Sequence, residues 1–214
     1  MGFHFAFGSA DLQKRQGSGL FGATRPRGRC GHRILWTIVC LILLPNPPAI
    51  AQTMANEYQV KAAFLYNFAR FIEWPNGTFA NSTSALTVCV LGKDPFGKAI
   101  DDAIVGKRIA EHPAILARGK RIQDLPECQI IFVSASDSAQ LPEILHSPQG
   151  RKALVVGETE NFAGSGGAIQ FVLDANRVRF AINTDAADRA GLKVSSKLLA
   201  LATIVHDSAA GGNN

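Results

Sequence analysis

Apolar positions recur along this chain with two different periods, and their alternation sets the expected fold. Over residues 56–73, Val60, Phe64, Phe68 and Phe71 repeat at helical spacing. Glu57 and Lys61 form an i,i+4 pair on the polar side, and Trp74-Pro75 ends the helix. A polar loop is expected over 76–84. Short runs of β-branched and apolar residues follow at 86–91, 129–133 and 153–157. Helices are expected near 95–104 and 138–145, with an extended stretch over 107–117. Residues 169–173 and 177–182 flank Asp174-Ala175-Asn176 and read as a β-hairpin. Thr184 or Asp185 is expected to cap a helix that Gly191 stops, and a last helix is expected over 196–205. Strands alternating with helices predict an α/β fold. It is a single domain with a mixed, mainly parallel sheet flanked by helices, and an antiparallel hairpin in its C-terminal half.

The first fifty residues follow a different pattern. Arg25, Arg27, Arg29 and Arg33 precede a mainly apolar run of 11 residues, 34–44. Pro45, Pro47 and Pro48 then break any helix, and Ala49-Ile50-Ala51 supplies an A-x-A cleavage site before Gln52. As a helix the run rises only about 16 Å, roughly half a bilayer core, so a cleaved leader fits better than an anchor. The sequence therefore divides into a signal peptide, 1–51, and an exported domain, 52–214, without membrane insertion after cleavage. Charge supports the division. The formal net charge is +5, but residues 1–51 carry six basic side chains against Asp11 alone, and the remainder carries sixteen of each sign. With no basic surplus in the domain, a nucleic-acid partner has no support.

Cleavage leaves two cysteines, Cys89 inside one strand-like run and Cys128 just before another. In an exported protein these are expected to form one disulfide between neighbouring strands, and no C-x-x-C pair points to redox catalysis. Closing a loop of roughly 40 residues is worth about 4 kcal/mol in the chain-entropy account.

No motif builds a catalytic centre. Gly92-Lys-Asp-Pro-Phe-Gly97-Lys98 matches the glycine–lysine spacing of a phosphate-binding loop, but Ala99 stands where that loop needs a hydroxyl for its metal ion. Gly164-Ser-Gly-Gly167 leads into a strand, so it offers no helix N-terminus to an anion. His112, His146 and His206 lie far apart with no metal-ligand spacing, and Asp101-Asp102 point to different faces of a helix. No cofactor or metal is implied. The aromatic residues are more informative. Phe64, Tyr66, Phe68, Phe71 and Trp74 crowd one helix and its end, and they cannot all face one core. They read either as ordinary core with one or two surface aromatics or as a partner or dimer surface, since aromatics anchor interfaces.

Several segments then resemble a known family. Glu57-Tyr-Gln-Val-Lys-Ala-Ala-Phe-Leu-Tyr-Asn-Phe-Ala-Arg-Phe-Ile-Glu-Trp-Pro75 resembles the opening helix of the YfiR-like family of small periplasmic proteins. So do Val90-Leu-Gly-Lys-Asp-Pro-Phe-Gly97, Gly157-Glu-Thr with Phe162, Val178-Arg-Phe-Ala-Ile-Asn183, and the ending that runs from Ala186 to Leu199. The resemblance implies an α/β fold, a homodimer, and a non-enzymatic repressor acting on the periplasmic region of an inner-membrane diguanylate cyclase or another sensor. It thereby implies a role in cyclic di-GMP and biofilm signalling, with a disulfide state that matters. Better-known relatives carry a second cysteine pair, which this chain lacks. For the partner surface the candidates are Tyr66, Phe71 and Trp74 together with Glu158 and Phe162. The rival reading is a periplasmic small-ligand binding module, with Arg179 and Asn183 as its convergent polar groups.

Overall fold

The computed structural model describes residues 49–207. The expected leader lies outside them apart from Ala49-Ile50-Ala51, which begin helix α1 (Ala49–Phe71). This helix ends two residues earlier than its periodicity predicts. Ile72 and Glu73 instead form a short strand, β1 (Ile72–Glu73), antiparallel to β9 (Lys193–Val194), with Glu73 opposite Lys193. The buried face of α1 is also rotated from the phenylalanine stripe. Ala62, Leu65, Phe68 and Ala69 are buried, whereas Val60 is 37% exposed.

The main sheet has eight strands. After β2 (Leu86–Leu91) the chain forms α2 (Lys98–Ile104), β3 (Arg108–Ile109) and β4 (His112–Gly119). It continues through β5 (Ile130–Val133), α3 (Leu141–His146), β6 (Leu154–Gly157), β7 (Ile169–Asp174) and β8 (Arg177–Asn183). The order across the sheet is β10-β8-β7-β6-β5-β2-β4-β3, where β10 is Thr203–Val205. Neighbours from β4 to β7 are all parallel, and β8 returns antiparallel to β7. This is the mixed, mainly parallel α/β sheet with a late hairpin that the sequence pattern predicts.

Side-chain alternation builds two cores. Val88, Val90, Ile130, Phe132, Leu154 and Val156 point to the face covered by α1 and α2. Cys89, Leu91, Ile131, Val133 and Val155 point to the opposite face, under α3, Ile122 and Phe162. With both faces covered, β2, β5 and β6 are buried along their whole length, which is why they read as unbroken apolar runs.

The structure corrects several expected elements. The stretch over 107–117 is two strands, because Ala110 takes φ +50° and turns the chain between β3 and β4. The helix expected from 95 begins at Lys98, after Gly97 at φ +53°. The helix over 138–145 is replaced by a 3₁₀ segment, Ala135–Gln140, kinked at Asp137, followed by α3. The cap of α4 (Thr184–Arg189) is Asn183, whose side chain accepts a hydrogen bond from Ala186 N at 3.0 Å, rather than Thr184 or Asp185. The last helix shrinks to α5 (Ser196–Leu199). Its expected remainder, the β-branched Thr203-Ile204-Val205, instead adds β10 beside β8. The hairpin turn itself is as tight as expected, with Ala175 and Asn176 both at positive φ.

Candidate functional site

In an open parallel sheet the usual ligand crevice lies beyond the carboxyl ends of the strands, where the strand order reverses. Here that point lies between β2 and β5, and the protein fills it. Gly92 takes φ +93° directly after β2, and a Cβ there would run into the Asp137 carboxylate. Asp137 is held in place by Ser136 Oγ at 2.5 Å and Gln140 Nε2 at 2.9 Å. The adjoining turn is closed by Arg118 at the end of β4. Its Nε donates to Asp94 Oδ2 at 2.7 Å, and its Nη2 to Asp101 Oδ2 at 2.6 Å and Gly97 O at 3.3 Å. The two carboxylates hold the Arg118 guanidinium well above its ordinary pKa, the hydrogen bonds to Asp101 being the largest influence. The glycine–lysine loop is thus an ion-paired turn with no cradle for phosphate. Asp101 turns to Arg118 while Asp102 pairs with Lys98, so the two carboxylates do part to different faces.

Sequence reasoning missed the most buried charged side chain among the described residues. Lys61 is 5% exposed, yet its ammonium meets Glu57 Oε1 at 2.5 Å and Glu158 Oε2 at 2.6 Å. Tyr58 completes the group: its hydroxyl donates to Glu158 Oε1 at 3.3 Å, and Lys61 Nζ lies 4.6 Å from its ring centre. Burial alone would push the ammonium toward neutrality, but the hydrogen bonds to Glu158 and Glu57 outweigh it, and its pKa rises. Burial and the Glu158 charge raise the Tyr58 pKa. The i,i+4 pair of Glu57 and Lys61 was legible; only the distant Glu158 makes it a core feature.

The candidate residues separate into distinct environments. Tyr66 and Trp74 lie at the C-terminal end of α1, joined by Arg70. Tyr66 donates to Arg108 O at 3.1 Å and lies between the cations of Arg70 and Lys107, at 5.9 Å and 5.4 Å. Trp74 borders a recess of about 370 Å³ with Arg70, Phe79 and His112, the last two stacked at 3.7 Å. The Trp74 indole Nε1 is buried and, among the described residues, has no hydrogen-bond partner. Phe71, the last residue of α1, is half-buried and packs against the first core, as Tyr66 and Trp74 do. Glu158 lies near the other end of α1, committed to Lys61.

Phe162 is 2% exposed and has no surface to offer a partner in this conformation. Its ring fills the space over Gly157 and Gly167, where any Cβ would collide with it. That packing gives the glycine-rich stretch a role that its composition did not reveal. Arg179 and Asn183 do not converge either. Arg179 is exposed and pairs with Asp174 at 2.8 Å, whereas Asn183 is fully buried as the α4 cap.

Cys89 and Cys128 form a disulfide with a Cα–Cα distance of 6.0 Å. Both cysteines are buried in the second core, Cys89 at 0% and Cys128 at 4% exposure, with Gln149 Nε2 3.5 Å from the Cys128 sulfur. Among the described residues, no cluster of His, Cys, Asp and Glu side chains is arranged to hold a metal ion, and no helix is long and apolar enough to cross a membrane. Against known families, a model described as YfiR/HmsC-like matches residues 58–203, from Tyr58 on α1 to the first residue of β10.

Proposed function

The chain belongs to the YfiR/HmsC-like family, and from that premise we propose that it is an exported, non-enzymatic regulator that represses a membrane-bound diguanylate cyclase. The match across nearly the whole described domain carries this reading. The mature protein begins at Gln52 and works in the periplasm as a homodimer. It binds the cyclase's periplasmic region and favours one conformation of it by differential affinity. We place the contact at the C-terminal end of α1, on Tyr66, Arg70 and Trp74. The cations of Arg70 and Lys107 and the unpartnered indole N–H favour a partner surface rich in carboxylates and other acceptors. The buried disulfide supports the shape of the domain rather than the contact itself.

The test is cellular and direct. Deleting the gene in its native host is expected to raise intracellular cyclic di-GMP, and the exported protein is expected to restore it. An unchanged level under both oxidising and reducing conditions overturns repression of a cyclase. Light scattering of the purified mature chain checks the homodimer, which a monomeric mass at micromolar concentration overturns.

A further inference from the structure

Between β6 and β7 the chain crosses without a helix. Where these strands begin and β8 and β10 finish, the surface opens into a groove of about 900 Å³. Its lining is small and apolar at Val155, Ala168, Ala186 and Ala190, with Leu145 alongside. His146, Arg151 and Arg189 also border it, against a single carboxylate, Asp207.

The way Asp207 is held carries the inference. Its Oδ1 accepts from Asn183 Nδ2 at 2.7 Å and from Arg189 Nη2 at 3.2 Å, while its Oδ2 pairs with Arg189 Nη1. Asn183 is immobilised on the other side. Its Nδ2 also donates to Ala163 O at 2.6 Å, and its Oδ1 caps α4. A fixed amide N–H beside a guanidinium fork is a carboxylate receptor. The receptor's amide sits on the fully buried end of β8, whereas its guanidinium, at the end of α4, and its occupant, just beyond the short edge strand β10, are both exposed. Contact with Arg189 and Asn183 holds the Asp207 carboxyl below the usual carboxylate range, so it is charged at neutral pH.

We propose that this groove binds a monocarboxylate with a compact apolar body. The ligand's carboxylate replaces Asp207 on Arg189 and Asn183, and its body lies over the alanine and valine lining. Arg151 adds positive potential at the rim. Ligand binding and the docking of Asp207 exclude each other, so an occupied groove frees the Asp207 carboxylate. The proposal is independent of which membrane protein the chain regulates.

Calorimetric titration of the purified mature protein with octanoate, and with 1-octanol as its uncharged counterpart, tests it. Octanoate is expected to bind at least about ten-fold more tightly than octanol, one charge-assisted contact's worth. Asp207→Ala removes the internal competitor and is expected to tighten octanoate binding by about ten-fold or more while leaving octanol unchanged. Adding Arg189→Gln is expected to abolish that gain. Should Asp207→Ala fail to fold, Asp207→Asn carries the same test, since it keeps the Asn183 hydrogen bond and drops the charge. Equal binding of octanoate and octanol, no octanoate binding by any variant, or an affinity indifferent to residue 207 overturns the assignment.

Discussion

The two ends of α1 use the same kinds of side chain to opposite effect. Near its N-terminal half a tyrosine and a lysine, Tyr58 and Lys61, are enclosed by Glu57 and Glu158, so every charge there has a partner inside the protein. At its C-terminal end a tyrosine lies between two cations, with a tryptophan close by. Among the described residues, neither Arg70 nor Lys107 has an ion-pair partner, and the Trp74 N–H has no acceptor. The first end is complete in the monomer and belongs to stability. The second has donors and positive charge left over, which is the character of a surface waiting for acceptors. Aromatic and basic content alone does not separate these cases; the placement of carboxylates does.

The sharpest way to break this comparison is Lys61→Ala. It leaves Glu57 and Glu158 buried side by side without a cation and is expected to cost about 3 kcal/mol or more in urea unfolding. A loss below about 1 kcal/mol would mean that solvent reaches the group and that the two ends are alike. The pH dependence adds a second check. Because the folded state raises the Lys61 pKa, its contribution is fully present below the unfolded-state value and is lost only as pH rises through the folded one. The stability difference between wild type and Lys61→Ala should therefore stay flat through neutral pH and shrink in strongly alkaline solution.

Next in size is the disulfide, which lies across the sheet from both ends. Replacing Cys89 and Cys128 by serine is expected to lower stability by about 2–4 kcal/mol, from the loop-closure entropy returned to the unfolded chain. Partner affinity, measured at a temperature where the variant stays folded, is expected to remain within about two-fold of wild type, because the bridge touches neither end of α1. A large loss of affinity in a folded variant would make the bridge part of the regulatory surface.

The parallel core was legible in the sequence because it is local and uniform. Buried runs such as Leu86–Leu91 announce strands whatever they pair with, and the Asp174-Ala175-Asn176 turn fixes its own hairpin. The misreadings with the largest consequences share one physical cause, which is dependence on distant residues. Lys61 becomes a core residue only because Glu158 arrives from beyond β6, and the α1 stripe turns accordingly. Thr203-Ile204-Val205 becomes a strand only because the edge of β8 lies open beside it. Phe162 looked like a surface aromatic because the space that accepts it is made by two glycines, which carry no signal of their own. The site suffered most, since a candidate such as Asn183 was chosen for its chemistry while its capping role depends on the start of α4.

At the exposed end of α1, Arg70→Glu reverses charge on a side chain without a buried partner. It is expected to change stability by less than about 0.5 kcal/mol and to weaken partner binding about ten-fold or more. Trp74→Phe is also expected to have a small net effect on folding, and it separates the two ends most cleanly. The substitution removes a small part of the ring, which costs packing, and it also removes a buried N–H without an acceptor, whose desolvation is itself worth about 1–3 kcal/mol. The two contributions oppose each other, so the net change in stability is expected to stay within about 1 kcal/mol. Binding obeys different arithmetic. If the partner supplies the missing acceptor, the phenylalanine variant leaves that acceptor without its donor, and affinity falls while stability holds. Chemical unfolding and a binding titration on the same preparation decide the matter. A variant that unfolds readily and binds normally would make Trp74 a core residue, and the C-terminal end of α1 would then be as complete as the other.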